Sequence, residues 1–262
     1  MRDIFSDIFE NQPADPMESA RKSARPRTLK RFYKSASVGD TAPYAVLLDG
    51  KAVMTPRQRP LAAPVKSLAQ DIAAEWNAQG EVVDPSAMPL TRLANVAIDA
   101  VAERATDVAD EVARYLGSDL VCYRADTPEG LVAAQARHWD PLLALARDEW
   151  GARFVLAEGV MHVLQPVEAV AAAAEAIPND QNSEAIWQLA AVSTITTLTG
   201  SALIALALAQ GKIDVAQAWE AAHVDEDWQI LQWGRDDEAM GRRARRHEEF
   251  KAASRVLAAL RR

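Results

Sequence analysis

The chain has a single cysteine, Cys122. One thiol permits no internal disulfide, and it builds no zinc site without three other ligands. That scarcity points to a reducing compartment. The four histidines, His138, His162, His223 and His247, show no pairwise metal-ligand spacing. Also missing are a Gly-x-Gly-x-x-Gly run, a Gly-Lys-Thr/Ser phosphate loop and a Gly-x-Ser-x-Gly elbow, so the motifs signal neither cofactor nor metal. Positive charge is not in excess: 29 basic against 37 acidic residues leave a net charge of −8. An acidic whole argues against nucleic acid as partner. Asp3, Asp7 and Glu10 break up any apolar signal core, and a transit segment would be poor in acids. A cytoplasmic start of bacterial type is expected. No repeat of fixed period is visible.

What is present is ordinary for a globular chain, with 49% hydrophobic and 25% charged residues. A chain of 262 residues buries roughly 70–75% of its unfolded surface, enough for a real core. Residues 31–64 read as β. Tyr44 to Leu48 meets Lys51 to Met54 across Asp49-Gly50, a hairpin signal because a type I′ turn needs positive φ at both central residues. From Val65 the period changes. Leu68, Ile72 and Trp76 share one helix face, and Gly80 is the expected stop.

Beyond Pro85 the pattern is helical. Pro89 opens one helix, and Val108, Val112, Tyr115 and Leu116 mark another. Thr127-Pro128 reads as N-cap and first position of a third helix, ending at Gly151. A short hairpin is expected around Glu158-Gly159, and a further helix from Pro166. Ala185 to Gly211 carries no charge. That run is long enough to span a membrane, but Thr194, Thr196, Thr197, Thr199, Gly200 and Ser201 interrupt it. A buried helical hairpin near 184–197 and 200–211 is the reading adopted. Ile213 to Leu260 reads as two or three polar-faced helices. The expected class is α+β: residues 1–30 a mobile arm, 31–88 a β-rich domain with one helix, and 89–262 a helical domain.

Candidate chemistry is thin. Cys122, His138 and Asp140 form a nucleophile, base and orienter on paper, which would make a hydrolase or transferase. Cys122 lies in the apolar run Leu120-Val121-Cys122-Tyr123, a setting that favours an inert thiol. His138 and Trp139 fall mid-helix, where packing or surface roles are the simpler reading. Arg242, Arg243, Arg245 and Arg246 make a basic cluster, flanked by Asp236, Asp237, Glu238, Glu248 and Glu249. A solvated helix face accounts for that balance. Asp225, Glu226 and Asp227 require solvent or a basic partner, since unpaired burial is expensive. Tryptophans such as Trp228, Trp233 and Trp76 are enriched at interface hot spots.

Ordered motifs converge on a known family. They are Phe32-Tyr33-Lys34, Val46-Leu47-Leu48-Asp49-Gly50-Lys51 with Thr55-Pro56, Ala74-Glu75-Trp76, and Met88 to Asn95. Asp119 to Arg124, Gln135, Trp139-Asp140-Pro141-Leu142, Glu226-x-Trp228-Gln229 and Trp233-Gly234 continue the series. Over residues 31 to 235 the chain resembles the ATP synthase assembly chaperones specific for the α subunit of the catalytic head (the "ATP-twelve" family). The resemblance implies a small N-terminal β-rich domain joined to a larger helical one. It implies a non-enzymatic, monomeric chaperone that binds the free α subunit and prevents its aggregation until β joins. Mitochondrial members work in the matrix, whereas this chain reads as a bacterial, cytoplasmic relative. The contacts expected on this basis are Trp76, Glu226, Trp228 and Asp237.

Overall fold

The computed structural model describes residues 29–159, 163–180 and 182–261. Two compact units are distinguished. In the first, Leu29–Lys30 pairs antiparallel with Val82–Val83. Arg31 donates its backbone N–H to Glu81 O at 2.8 Å and its guanidinium to Gln79 O. The other residues of the expected arm, 1–28, lie outside the described residues.

The second unit holds the remaining elements, and its class is α+β. Strands β1 (Ala36–Val38), β2 (Tyr44–Leu48), β3 (Lys51–Ala52) and β4 (Ala62–Ala63) form an antiparallel sheet centred on β2. The β2–β3 hairpin turns at Asp49 and Gly50, with φ of 47° and 82°. These positive values are what the Asp-Gly pair led us to expect. The Asp49 carboxylate accepts the N–H groups of Ser35 and Lys34, and those backbone bonds hold it below the usual carboxylate range. Helix α1 (Lys66–Asn77) lays Leu68 and Ile72 into the core. It ends before Gly80, because Ala78 caps it through Ala74 O.

Helix α2 (Pro89–Asp99) starts at proline as expected, yet Met88 in the cap position supplies no side-chain acceptor. The orphan N–H groups of its first turn are taken by Glu75 of α1. Leu90 N and Thr91 N donate to its two oxygens at 2.7 and 2.8 Å, and the Thr91 hydroxyl donates at 2.8 Å. Burial pushes this carboxyl up, and the three donors oppose that shift. At the other end of α2, buried Asp99 accepts the Thr55 hydroxyl at 2.7 Å and Arg57 N at 3.1 Å.

Helix α3 (Ala105–Leu116) follows, then α4 (Glu129–Trp150), α5 (Val167–Ala174), α6 (Ser183–Thr199) and α7 (Ala202–Ala209). The uncharged run is the α6–α7 hairpin, turned at left-handed Gly200 and buried against its neighbours. Three of its threonines, Thr194, Thr197 and Thr199, return their hydroxyls to carbonyls four residues back. None of the described helices is long and apolar enough to cross a membrane. Fully buried Asp119 accepts Val121 N and Leu203 N, tying the chain before α4 to the start of α7. Burial outweighs these donors and raises its carboxyl to about 6.

One expectation is corrected. Helix α4 begins at Glu129, and Pro128 occupies the cap position in extended conformation, so Thr127 is not the N-cap. The second strand of the hairpin expected around Glu158-Gly159 begins on residues 160–162, outside the described residues. Strand β6 (Ala157–Glu158) runs parallel to β5 (Tyr123–Arg124), and Gly159 N donates to Arg124 O. Residues 160–162, including His162, lie outside the described residues.

Candidate functional site

Three C-terminal helices complete the bundle: α8 (Val215–Ala222), α9 (Val224–Trp233) and α10 (Asp237–Leu260). Asp214 and Gln217 start α8 with a capping box. Helix α9 has three acids in its first turn, Asp225, Glu226 and Asp227, which the positive end of the helix dipole favours. Each acid takes a different direction. Asp225 Oδ1 accepts Gln135 Nε2 at 2.7 Å. Glu226 lies 3.7 Å from Arg246 and 3.9 Å from the ring of His223. Asp227 pairs with Arg243.

Helix α4 is the platform beneath. Trp139 is fully buried, and its indole N–H donates to Ala221 O at 2.7 Å, in the last turn of α8. The Arg124 guanidinium lies over the same ring, 5.4 Å from its centroid, and pairs with Asp140 at 2.8 Å. Buried Gln135 binds in two directions: its oxygen accepts Ala125 N at 2.8 Å while its amide reaches Asp225. Trp228 rests on Gly130. A Cβ added to that glycine would collide with the indole Cη2.

These contacts leave an open cleft of about 610 Å³ between α4 and α9. Its apolar wall includes Tyr123, Pro128, Leu131, Trp228 and Trp233. A second groove of about 390 Å³ lies between α9 and α10, with Ile230, Trp233 and Met240 among its lining. Leu231 and Trp233 stand 78% and 80% exposed on α9, unusual for large apolar side chains placed together on one short helix.

Under α9, His223 is buried. Its Nδ1 lies 2.8 Å from Trp219 O, and its Nε2 has no hydrogen-bond partner among the described residues. Trp219 stacks at 3.8 Å from the His223 ring and 4.5 Å from that of His247. Burial is the main cause that depresses the His223 pKa; neighbouring Arg243 and Arg246 add to it, and Glu226 opposes it.

Among the residues singled out from sequence, Glu226 and Trp228 lie on α9, and exposed Asp237 opens α10. Trp76 lies in α1, half-buried, with its ring edge-on to Tyr33 at 5.6 Å and its carbonyl accepting the Tyr33 hydroxyl. Trp76 lines neither of the two clefts beside α9. Cys122, His138 and Asp140 are not joined by hydrogen bonds. Cys122 is buried, and burial first, then Asp119, pushes its thiol up to about 12. His138 contacts Arg137, and Asp140 is engaged by Arg124. The arginine cluster is largely offset: Arg242 pairs with Glu238 at 2.6 Å, Arg243 with Asp227, and Arg246 with Glu226. No group of His, Cys, Asp or Glu among the described residues is arranged to hold a metal. Sequence reasoning missed Gly130 and Leu231, and it flagged Asp225 only as one of three acids needing solvent or a basic partner. A glycine in the first turn of a long helix was the signal available for the first.

The helical bundle of the second unit leaves large apolar side chains exposed on α9. Comparison with known proteins gives the chain a family. The model of the ATP12 chaperone protein matches residues 30–147. A candidate chaperone from Agrobacterium tumefaciens is 46% identical with a TM-score of 0.84, over 95% of this chain and 93% of that one. Atp12 from Paracoccus denitrificans is 39% identical with a TM-score of 0.79, over 89% of this chain and 99% of that one. A point mutant of the Paracoccus protein is 38% identical with a TM-score of 0.77, over 89% and 98%. The chain belongs to the ATP12 family, chaperones of ATP synthase assembly.

Proposed function

We propose that this protein is a non-catalytic assembly chaperone for the α subunit of the ATP synthase catalytic head. It holds the unassembled subunit, in the bacterial cytoplasm, until β takes its place. The observation that carries the reading is the pair of large apolar side chains, Leu231 and Trp233, that α9 leaves exposed. A free α subunit exposes apolar surface that β covers in the finished head, and such patches drive aggregation. Leu231 and Trp233 supply anchors for that surface, and the surrounding charges keep the contact reversible. Trp228 and Glu226 contribute from the same helix, and Asp237 from the start of α10. Trp76 contributes from α1. The inert Cys122 weighs against the hydrolase or transferase alternative.

The test is light scattering of denatured α subunit on dilution. The wild-type chain suppresses aggregation. A Leu231→Ser/Trp233→Ser variant loses suppression while keeping its melting temperature, because exposed sites change stability by only about 0.5 kcal/mol. Equal suppression by that variant refutes the α9 assignment, and no suppression by the wild type refutes the function.

A further inference from the structure

We propose that the cleft between α4 and α9 receives an extended segment of the client protein that presents a lysine or arginine side chain. Asp225 takes the cationic head, and Trp228 and Trp233 cover the aliphatic stem. The inference rests on the client-binding reading above and adds the chemistry of what is bound. Two charged side chains line the cleft, Arg124 and Asp225. Arg124 is neutralised by Asp140 at 2.8 Å, with its side chain only 9% exposed, and its guanidinium lies over Trp139. Asp225 has no such counter-charge. Its Oδ1 holds a neutral amide, that of Gln135, and no basic side chain among the described residues pairs with it.

The cleft therefore carries one uncompensated negative charge beside two indole rings. Covering Asp225 with a purely apolar group would desolvate a lone carboxylate, which is unfavourable, and an anionic group would be repelled. A basic side chain meets both demands: its methylenes pack on the rings, and its cation is attracted by the indole faces and the carboxylate. Gln135 orients the acid beforehand. Its oxygen is engaged by Ala125 N, so its amide points at Asp225. The net charge of −8 draws a basic segment in from a distance.

The experiment measures capture of purified ATP synthase α subunit by the full chain at low and high salt. The variants are Asp225→Asn and Asp225→Lys. Asparagine keeps an oxygen for Gln135, and an unchanged melting temperature verifies the fold. The expected result is about tenfold weaker capture by Asp225→Asn, with a shallower salt dependence, and a larger loss for Asp225→Lys. If the wild type captures α and Asp225→Asn does so equally, the cleft assignment is overturned while the chaperone function stands. If the wild type captures no α, both fall together.

Discussion

Glu75 acts as the N-cap of a helix to which it does not belong, and replacing it gives a graded test of that role. Its two oxygens accept Leu90 N, Thr91 N and the Thr91 hydroxyl at 2.7 to 2.8 Å. A hydrogen bond to a charged group contributes about 1.5–3 kcal/mol. Simple addition over three bonds overshoots, because the burial that raises the Glu75 pKa works against the charged form. Glu75→Ala strands two amides at a helix start, and about 3–4 kcal/mol of lost stability is expected. Glu75→Gln keeps one acceptor, which satisfies one amide. Its amino group can serve the Thr91 hydroxyl, but it faces the other backbone N–H donor to donor. A loss of about 1–3 kcal/mol follows. Urea unfolding followed by circular dichroism measures the series, with Thr91→Val completing a double-mutant cycle. A Glu75→Gln loss below about 0.5 kcal/mol, or no coupling between Glu75 and Thr91, would refute the capping argument.

Two further outcomes are expected. Trp139→Phe leaves Ala221 O without the indole donor and thins the packing beneath Arg124. A loss of about 2–4 kcal/mol should appear in the same unfolding assay, and a loss under about 1 kcal/mol would contradict the role of the buried indole. His223 has a pKa lowered by burial, so folding favours its neutral form. Its contribution is complete above the ordinary histidine value of 6.5 and is lost as pH falls through the depressed folded value. The melting temperature should drop between pH 7 and pH 5 more steeply than in His223→Gln, and parallel profiles would exclude the assignment.

Local signals carried much of the fold. Asp49-Gly50 specified its turn because both positions need positive φ. Gly151 and Gly200 ended helices in the left-handed conformation for the same steric reason. The uncharged run read as a helical hairpin because glycine and hydroxyl residues divided it. Where local chemistry was ambiguous, the reading slipped. Thr127 looked like a cap, yet Asn182, Ser201 and Asp236 fill that role for other helices, and α4 begins without a side-chain cap. The pairing of Ala157–Glu158 with Tyr123–Arg124 joins segments far apart in the chain, which no local pattern announces. The candidate site was partly legible: Trp228 and Glu226 stood out by residue type, whereas Gly130 and Asp225 acquire meaning only through their partners.

The sequence alone determined the class of elements, the turn at Asp49-Gly50 and the family, because these depend on neighbours within a few residues and on ordered motifs. Only the tertiary structure decided that Glu75 caps α2, that Trp228 sits on Gly130, and that Gln135 turns Asp225 toward a cleft. Periodicity states which face of a helix is buried. It does not state what that face meets, since that choice rests on packing between segments far apart in the chain.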